Sequence, residues 1–182
     1  MVAAARSPCA AKGSIIFGSK GDVRPGLGFV FRHPAHFIAL GAGAGVVPVA
    51  PGTFGSLLAL AIFWGGAQHL HPAVYALSLA GWFALGVWAC GVAGRALGHG
   101  DHGAIVWDEV VAFLLVLPFT PQALYWQLAA FVLFRIFDIA KPPPIRYFDR
   151  NVKGGFGAMF DDVLAAVYTL VVIGVARLAL NV

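Results

Sequence analysis

The chain has 182 residues, 60% of them hydrophobic and only 11% charged, where an ordinary soluble domain carries about 25% charged residues. This is one domain's length of chain, and its apolar runs outlast what a single core needs, so the expected class is an integral membrane protein. The net charge of +4 is spread along the flanks of those runs, which excludes a nucleic-acid-binding tract and points to anionic lipid headgroups.

Residues 1–33 read as a flexible basic arm bearing Arg6, Lys12, Lys20, Arg24 and Arg32, and residues 1–36 contain no apolar core of signal-peptide length. Residues 34–182 are expected to form the membrane domain. Cys9 and Cys90 stand too far apart and too isolated to suggest a disulfide framework or metal site. The run at 37–48 is apolar but Gly-rich, as in a broken or half-inserted segment. Thr53 then stands before the first strongly apolar run, as a helix cap or, with Ser56 and the helix N–H groups, as a phosphate seat.

Five apolar runs follow, at 55–70, 73–97, 108–118, 123–140 and 161–180. A hydrocarbon core of ~30 Å asks for ~20 residues per helix, so the expected fold is an all-α, multi-pass bundle of four or five spans plus the broken segment. Gly86, Cys90, Gly94 and Gly98 recur at every fourth position of the second run, a spacing that lets helices approach closely in lipid. With the N-terminus in the cytoplasm and five alternating spans, nearly every Lys and Arg falls inside and only Arg177 lies near the outer face, as the positive-inside rule asks.

The same threading gathers the carboxylates at the inner face. Asp108 and Glu109 open the third run, Asp138 closes the fourth, and Asp161 and Asp162 open the last, with Asp101 just upstream of the first pair. An ionised group near hydrocarbon costs roughly 2.5–3.5 kcal/mol on insertion scales, so it needs partners, water or a task. Each pair read alone also fits a helix start favoured by the macrodipole, and Arg135, Asp138 and Lys141 at i, i+3 and i+6 also fit a salt-bridge ladder. Read together they suggest one composite site in which carboxylates from separate helices hold a hard cation such as Mg²⁺ while Arg135 and Lys141 clamp phosphate. His99 and His102, beside Asp101, are weaker additions; His33, His36, His69 and His71 fit interfacial loops.

Four motifs in order, APGTFGS at 50–56, IVWDEVV at 105–111, FRIFDIAKPPPI at 134–145 and GGFGAMFDDVLAA at 154–166, resemble the phosphatidylglycerophosphatase A family. Ala112 and Ala166 depart from it by small-for-small changes at positions where the family carries glycine. The resemblance implies a bacterial inner-membrane enzyme acting at the cytoplasmic face. Its expected reaction is Mg²⁺-dependent hydrolysis of phosphatidylglycerophosphate to phosphatidylglycerol and phosphate. Asp108, Glu109, Asp138, Asp161 and Asp162 are the expected catalytic and metal residues, and Thr53, Ser56, Arg135 and Lys141 the expected phosphate contacts. A C-x5-R cysteine phosphatase is excluded, since after the five residues that follow Cys9 comes Ile15 rather than arginine, and the D-x-D of haloacid-type enzymes is absent. Metal-activated water is the preferred nucleophile; a phospho-aspartate and a Thr53 or Ser56 nucleophile stay open. The rival class is a cation- or proton-coupled carrier, whose acidic site would lie nearer the bilayer midplane.

Overall fold

The computed structural model describes residues 16–17, 23–98 and 102–180. Cys9, His99, Asp101 and the arm at 1–15 and 18–22 lie outside the described residues. Among the described residues the secondary structure is helical apart from a two-residue antiparallel ladder of β1 (Ile16–Phe17) with β2 (Val23–Arg24). The helices are α1 (Leu27–Val30), α2 (Pro34–Ala39), α3 (Pro51–Trp64), α4 (Pro72–Leu97), α5 (Trp107–Val116), α6 (Leu124–Ala140), α7 (Ile145–Asn151) and α8 (Gly154–Leu180), with short 3-10 turns between some of them.

Only two of the described helices have the length and apolarity to cross a bilayer, α4 with 26 residues and α8 with 27, or about 40 Å each at ~1.5 Å per residue. That is fewer than the four or five spans read from hydropathy. The third run explains part of the discrepancy. It forms the 10-residue α5, in which Val110, Val111, Ala112, Phe113, Leu114 and Val116 are all buried. Helix α5 packs against α3, α4, α6 and α8, so its apolarity on every side serves a protein core. Helix α3 has 14 residues, about 21 Å, and the 17-residue α6 carries Arg135 and Asp138 towards its end.

The two long helices have a different burial. Only 28% and 22% of their most apolar windows are buried inside the fold, and Leu77, Trp88, Val171, Val175 and Leu178 stand exposed along them. A helix hydrophobic all round with its outer face uncovered belongs in lipid, and on this ground the protein is membrane-associated.

Glycine sets how closely these helices meet. A Cβ on Gly155 of α8 would collide with the Val87 carbonyl of α4, and one on Gly86 would lie 2.5 Å from Met159 Sδ. The expected seam is therefore present at Gly86, Cys90 and Gly94, all buried. Gly98 instead ends α4 with φ +82°, a left-handed cap that glycine adopts without penalty. The expected broken segment at 37–48 is a short helix followed by a 3-10 turn. Its buried residues Ala39 and Leu40 share a cluster with Val30, and with Ala89, Cys90 and Ala93 of α4. Val30 brings part of the basic arm into this cluster. His33 and His71 turn out to be helix caps, accepting from Ala35 N–H at 3.1 Å and Ala73 N–H at 3.3 Å.

Candidate active site

The polar residues meet where α3, α5 and α8 begin and α4 and α6 end. Asp108 and Glu109 occupy the first turn of α5, where the macrodipole favours acids, and Glu109 N–H donates to Asp108 Oδ1 at 3.0 Å. Glu109 reaches the first turn of α3. Cβ atoms on Gly52 and Gly55 would fall against its carboxylate, the latter 2.8 Å from Oε2. The glycines of the APGTFGS motif thus make room for an acid side chain from another helix.

Arg135 joins α6 to this pair. Its Nη1 donates at 2.7 Å to Glu109 Oε1 and at 2.7 Å to Asp138 Oδ2. The ladder expected along α6 holds for Arg135 with Asp138 but not for Lys141. Lys141 is the C-cap of α6 in a left-handed conformation, φ +42°, which costs a non-glycine residue roughly 1–2 kcal/mol. Its Nζ turns to Asp149 Oδ1 at 2.7 Å and to Asp161 Oδ2. Although partial burial works against it, the hydrogen bond and charge of Lys141 hold the Asp149 carboxyl below its ordinary value.

Helix α8 corrects a sequence expectation. The Gly-rich stretch before Asp161 is not a loop but the first turns of the helix. Asp161 and Asp162 therefore sit in its third turn, too deep for helix capping to account for them, and both are buried. Asp162 lies within electrostatic reach of Asp138, Asp108, Asp161 and Glu109, so all five expected acids share one neighbourhood. Thr53 and Ser56 lie in the α3 turns beside it, but Thr53 is not the cap. Ala50, with φ +49°, holds that position and Thr53 N–H donates to its carbonyl at 2.9 Å. Ser56 is buried with Oγ donating to Gly52 O at 3.2 Å. His102 is buried and accepts from Ala104 N–H at 3.2 Å.

Asp149 escaped the sequence reading, because α7 reads as a basic segment between Arg146 and Arg150. The available signal was the lone acid in IRYFDRN, a short distance beyond Lys141.

The described site thus sets six carboxylates, of Asp108, Glu109, Asp138, Asp149, Asp161 and Asp162, against the cations Arg135 and Lys141. Buried negative charge in such excess calls for a further cation or for protons. The donors suit a hard, oxygen-seeking cation, and Asp162 Oδ2 is buried with no hydrogen-bond partner among the described residues. Oxygen donors of this kind are the type that Mg²⁺ takes. Among the described residues, however, no three of His, Cys, Asp or Glu are grouped as a metal-holding set; Arg135 and Lys141 stand among the acids instead.

A partly buried, polyanionic cluster with two cations among its acids, at one end of a lipid-facing bundle, defines a membrane-associated enzyme site suited to a charged headgroup. Sequence comparison makes the class particular. The family model for phosphatidylglycerophosphatase A matches residues 37–177. A phosphatidylglycerophosphatase A of Haemophilus influenzae is 44% identical over 142 residues, covering 78% of this chain and 87% of the relative. One from Escherichia coli is 43% identical over 136 residues, covering 74% and 78%. A Bacteroides thetaiotaomicron relative, 42% identical over 149 residues and covering 77% and 91%, carries a provisional name as a phosphatidylinositol-3-phosphatase. No solved structure matches significantly. The chain belongs to the phosphatidylglycerophosphatase A family and is a lipid phosphatase.

Proposed function

We propose that the protein hydrolyses phosphatidylglycerophosphate to phosphatidylglycerol and phosphate in a Mg²⁺-dependent reaction at the cytoplasmic face of a bacterial inner membrane. The observation that carries this reading is the meeting of Asp108, Glu109, Asp138, Asp161 and Asp162 with Arg135 and Lys141 in a chain of this family. Asp162 with Asp108, Asp138 and Asp161 would hold the cation, which when bound supplies Lewis-acid polarisation and activation of water.

The chain's own groups carry the remaining work. Arg135 offers a planar fork of donors to phosphoryl oxygens, exchanging part of its contact with Glu109 and Asp138 for the substrate. Lys141 neutralises a further oxygen. Glu109 or Asp108 takes the proton of the attacking water as its oxygen bonds to phosphorus. The bond between phosphorus and the terminal glycerol oxygen then breaks, and the departing alkoxide takes the proton back from that carboxyl. Thr53 is favoured over Ser56 as the hydroxyl contact, because the Ser56 hydroxyl is buried and donates to Gly52 O.

The orientation rests on charge. Arg95 near the end of α4, Lys141, Arg146 and Arg150 around α7, and Lys153 at the start of α8 lie towards the site end, and Arg177 towards the other end of α8. This is the asymmetry that the positive-inside rule associates with the cytoplasm. The carrier alternative finds no support in the family or its relatives.

Phosphate release by the purified protein from phosphatidylglycerophosphate, with Mg²⁺ and with EDTA, tests the reading. Release that stops with EDTA and returns with Mg²⁺ is expected. Full turnover in metal-free buffer would remove the carboxylates as ligands, and no turnover of this lipid would remove the substrate.

A further inference from the structure

A cavity lies beside the carboxylate cluster, and the proposed reaction makes no use of it. It has a volume of about 200 Å³, and its walls include Arg24, Pro48, Pro51, His102 and Ala104. Whole small-molecule sites run to about 300–1,000 Å³, so this one suits a fragment of a ligand. Its position is fixed by Pro51, the first residue of α3. The next residue, Gly52, packs against the Glu109 carboxylate, and consecutive Cα atoms are about 3.8 Å apart. The cavity and the cluster are thus neighbours across one turn of backbone.

Arg24 gives the cavity its charge. Its Nη1 donates to Pro48 O at 3.1 Å, which anchors the guanidinium to the loop before α3. A guanidinium carries five N–H donors, so that one bond engages only part of the fork. Arg24 belongs to the basic arm and stands outside the matched family region, residues 37–177. The adjoining His102 is buried in the wall.

The proposed substrate is a lipid with two phosphorus centres, a terminal phosphomonoester and, one glycerol away, the phosphodiester that joins it to the diacylglycerol. Carboxylates and a cation suit the first centre. They do nothing for the second, which is a permanent monoanion. We infer that the Arg24 cavity is a subsite for a lipid phosphodiester, seated while the monoester occupies the carboxylate cluster. The inference rests on the proposed substrate. It adds a contact from the arm that selects lipid substrates over small phosphomonoesters. The diester is either the substrate's own or that of a neighbouring anionic phospholipid.

The test compares wild type, Arg24→Ala, Arg24→Lys and Arg32→Ala, each full length and purified. Substrates are phosphatidylglycerophosphate in neutral detergent micelles, the same lipid with added phosphatidylglycerol, and glycerol 3-phosphate. Arg32 is likewise an exposed basic residue near the arm's end, so it controls for unspecific attraction to anionic micelles. Thermal melting confirms that each variant is folded. In micelles, Arg24→Ala should raise KM for the lipid about tenfold, as expected for one charge-assisted hydrogen-bonded contact. Its kcat/KM preference for the lipid over glycerol 3-phosphate should fall to match. Arg24→Lys should recover part of the loss and Arg32→Ala should show none. An effect that appears only with added phosphatidylglycerol would assign the subsite to a neighbouring lipid, still a phosphodiester. Equal losses in Arg24→Ala and Arg32→Ala, or an unchanged lipid KM under both lipid conditions, would overturn the inference. Wild type inactive on the lipid would instead refute the substrate reading, a separate outcome.

Discussion

Gly52→Ala isolates the contact on which the arrangement of Glu109 depends. Gly52 lies in the first turn of α3 without a left-handed backbone, so alanine meets no conformational penalty there. The three atoms nearest to a Cβ there are those of the Glu109 carboxylate, onto which the new Cβ would be driven. Overpacking of this kind costs about 1–3 kcal/mol, against a helix-propensity gain of at most about 1 kcal/mol. A net loss of about 1–2 kcal/mol is expected. Glu109 must also retreat from Arg135, and a misplacement of about 1 Å can cost on the order of a hundredfold in rate. Denaturant unfolding in detergent, with phosphate release measured per folded molecule, reads both effects. A double-mutant cycle supplies the control. In a Glu109→Ala background the obstruction is gone, so Gly52→Ala should be neutral or slightly stabilising, with a coupling of about 2 kcal/mol. If Gly52→Ala costs the same in both backgrounds, or leaves specific activity intact, Glu109 does not rest on the α3 turn and the site is wrongly built.

Asp138→Asn keeps size and hydrogen bonding but removes a charge. The folded protein should lose about a thousandfold in specific activity, a barrier change of ~4 kcal/mol, whereas a purely structural salt bridge would leave turnover per folded molecule near normal. Ala50→Gly relieves a left-handed alanine that also precedes a proline; stability should rise by about 1 kcal/mol, read as a higher melting midpoint. Asp149 is held below its ordinary value of 3.8 by Lys141, so it stabilises the fold above about pH 4 and that contribution is lost as the pH falls through the lowered value. Asp149→Asn should flatten the acid limb of the stability profile; an unchanged limb would show that the pair does not form. A single cysteine placed at position 152 in a Cys-free background should react with an impermeant label only from the cytoplasmic side, and one at the exposed position 122 only from outside.

The site was more legible in the sequence than the fold around it, for a physical reason. Carboxylates beside apolar runs are costly wherever the chain goes, so Asp108, Glu109, Asp138, Asp161 and Asp162 are conspicuous under any threading. The number of spans is a different matter. A helix buried all round by protein and one bathed in lipid have the same hydropathy, so α5 reads as a span when it is the core. Glycine misled in the same way. In GGFGAMFDD the glycines suggest a flexible loop, yet Gly155 lets α8 approach the Val87 carbonyl and Gly157 lies close to the Val152 carbonyl. Only the partner helix reveals that purpose. Asp149 was hidden because its value lies in Lys141, eight residues earlier, turning back towards it.

A diacyl substrate imposes a constraint that a soluble phosphate ester does not. Its acyl chains stay in hydrocarbon throughout the reaction, so the reacting phosphorus must be met where helices leave the lipid. The long helices satisfy this geometrically. The second half of α4 meets the start of α8 through Gly86, Gly91 and Gly155, while Trp88 on α4 and Phe156 on α8 stay exposed beside that crossing. The acids of α8 lie only two turns beyond Gly155 in sequence. A lipid lying against the exposed apolar faces would then hold its headgroup near the level of Asp161 and Asp162, which the fold keeps buried. The close glycine crossing and the carboxylate cluster are then two parts of one requirement, since any residue larger than glycine at position 155 would force α8 away from α4. The acids it carries would move with it.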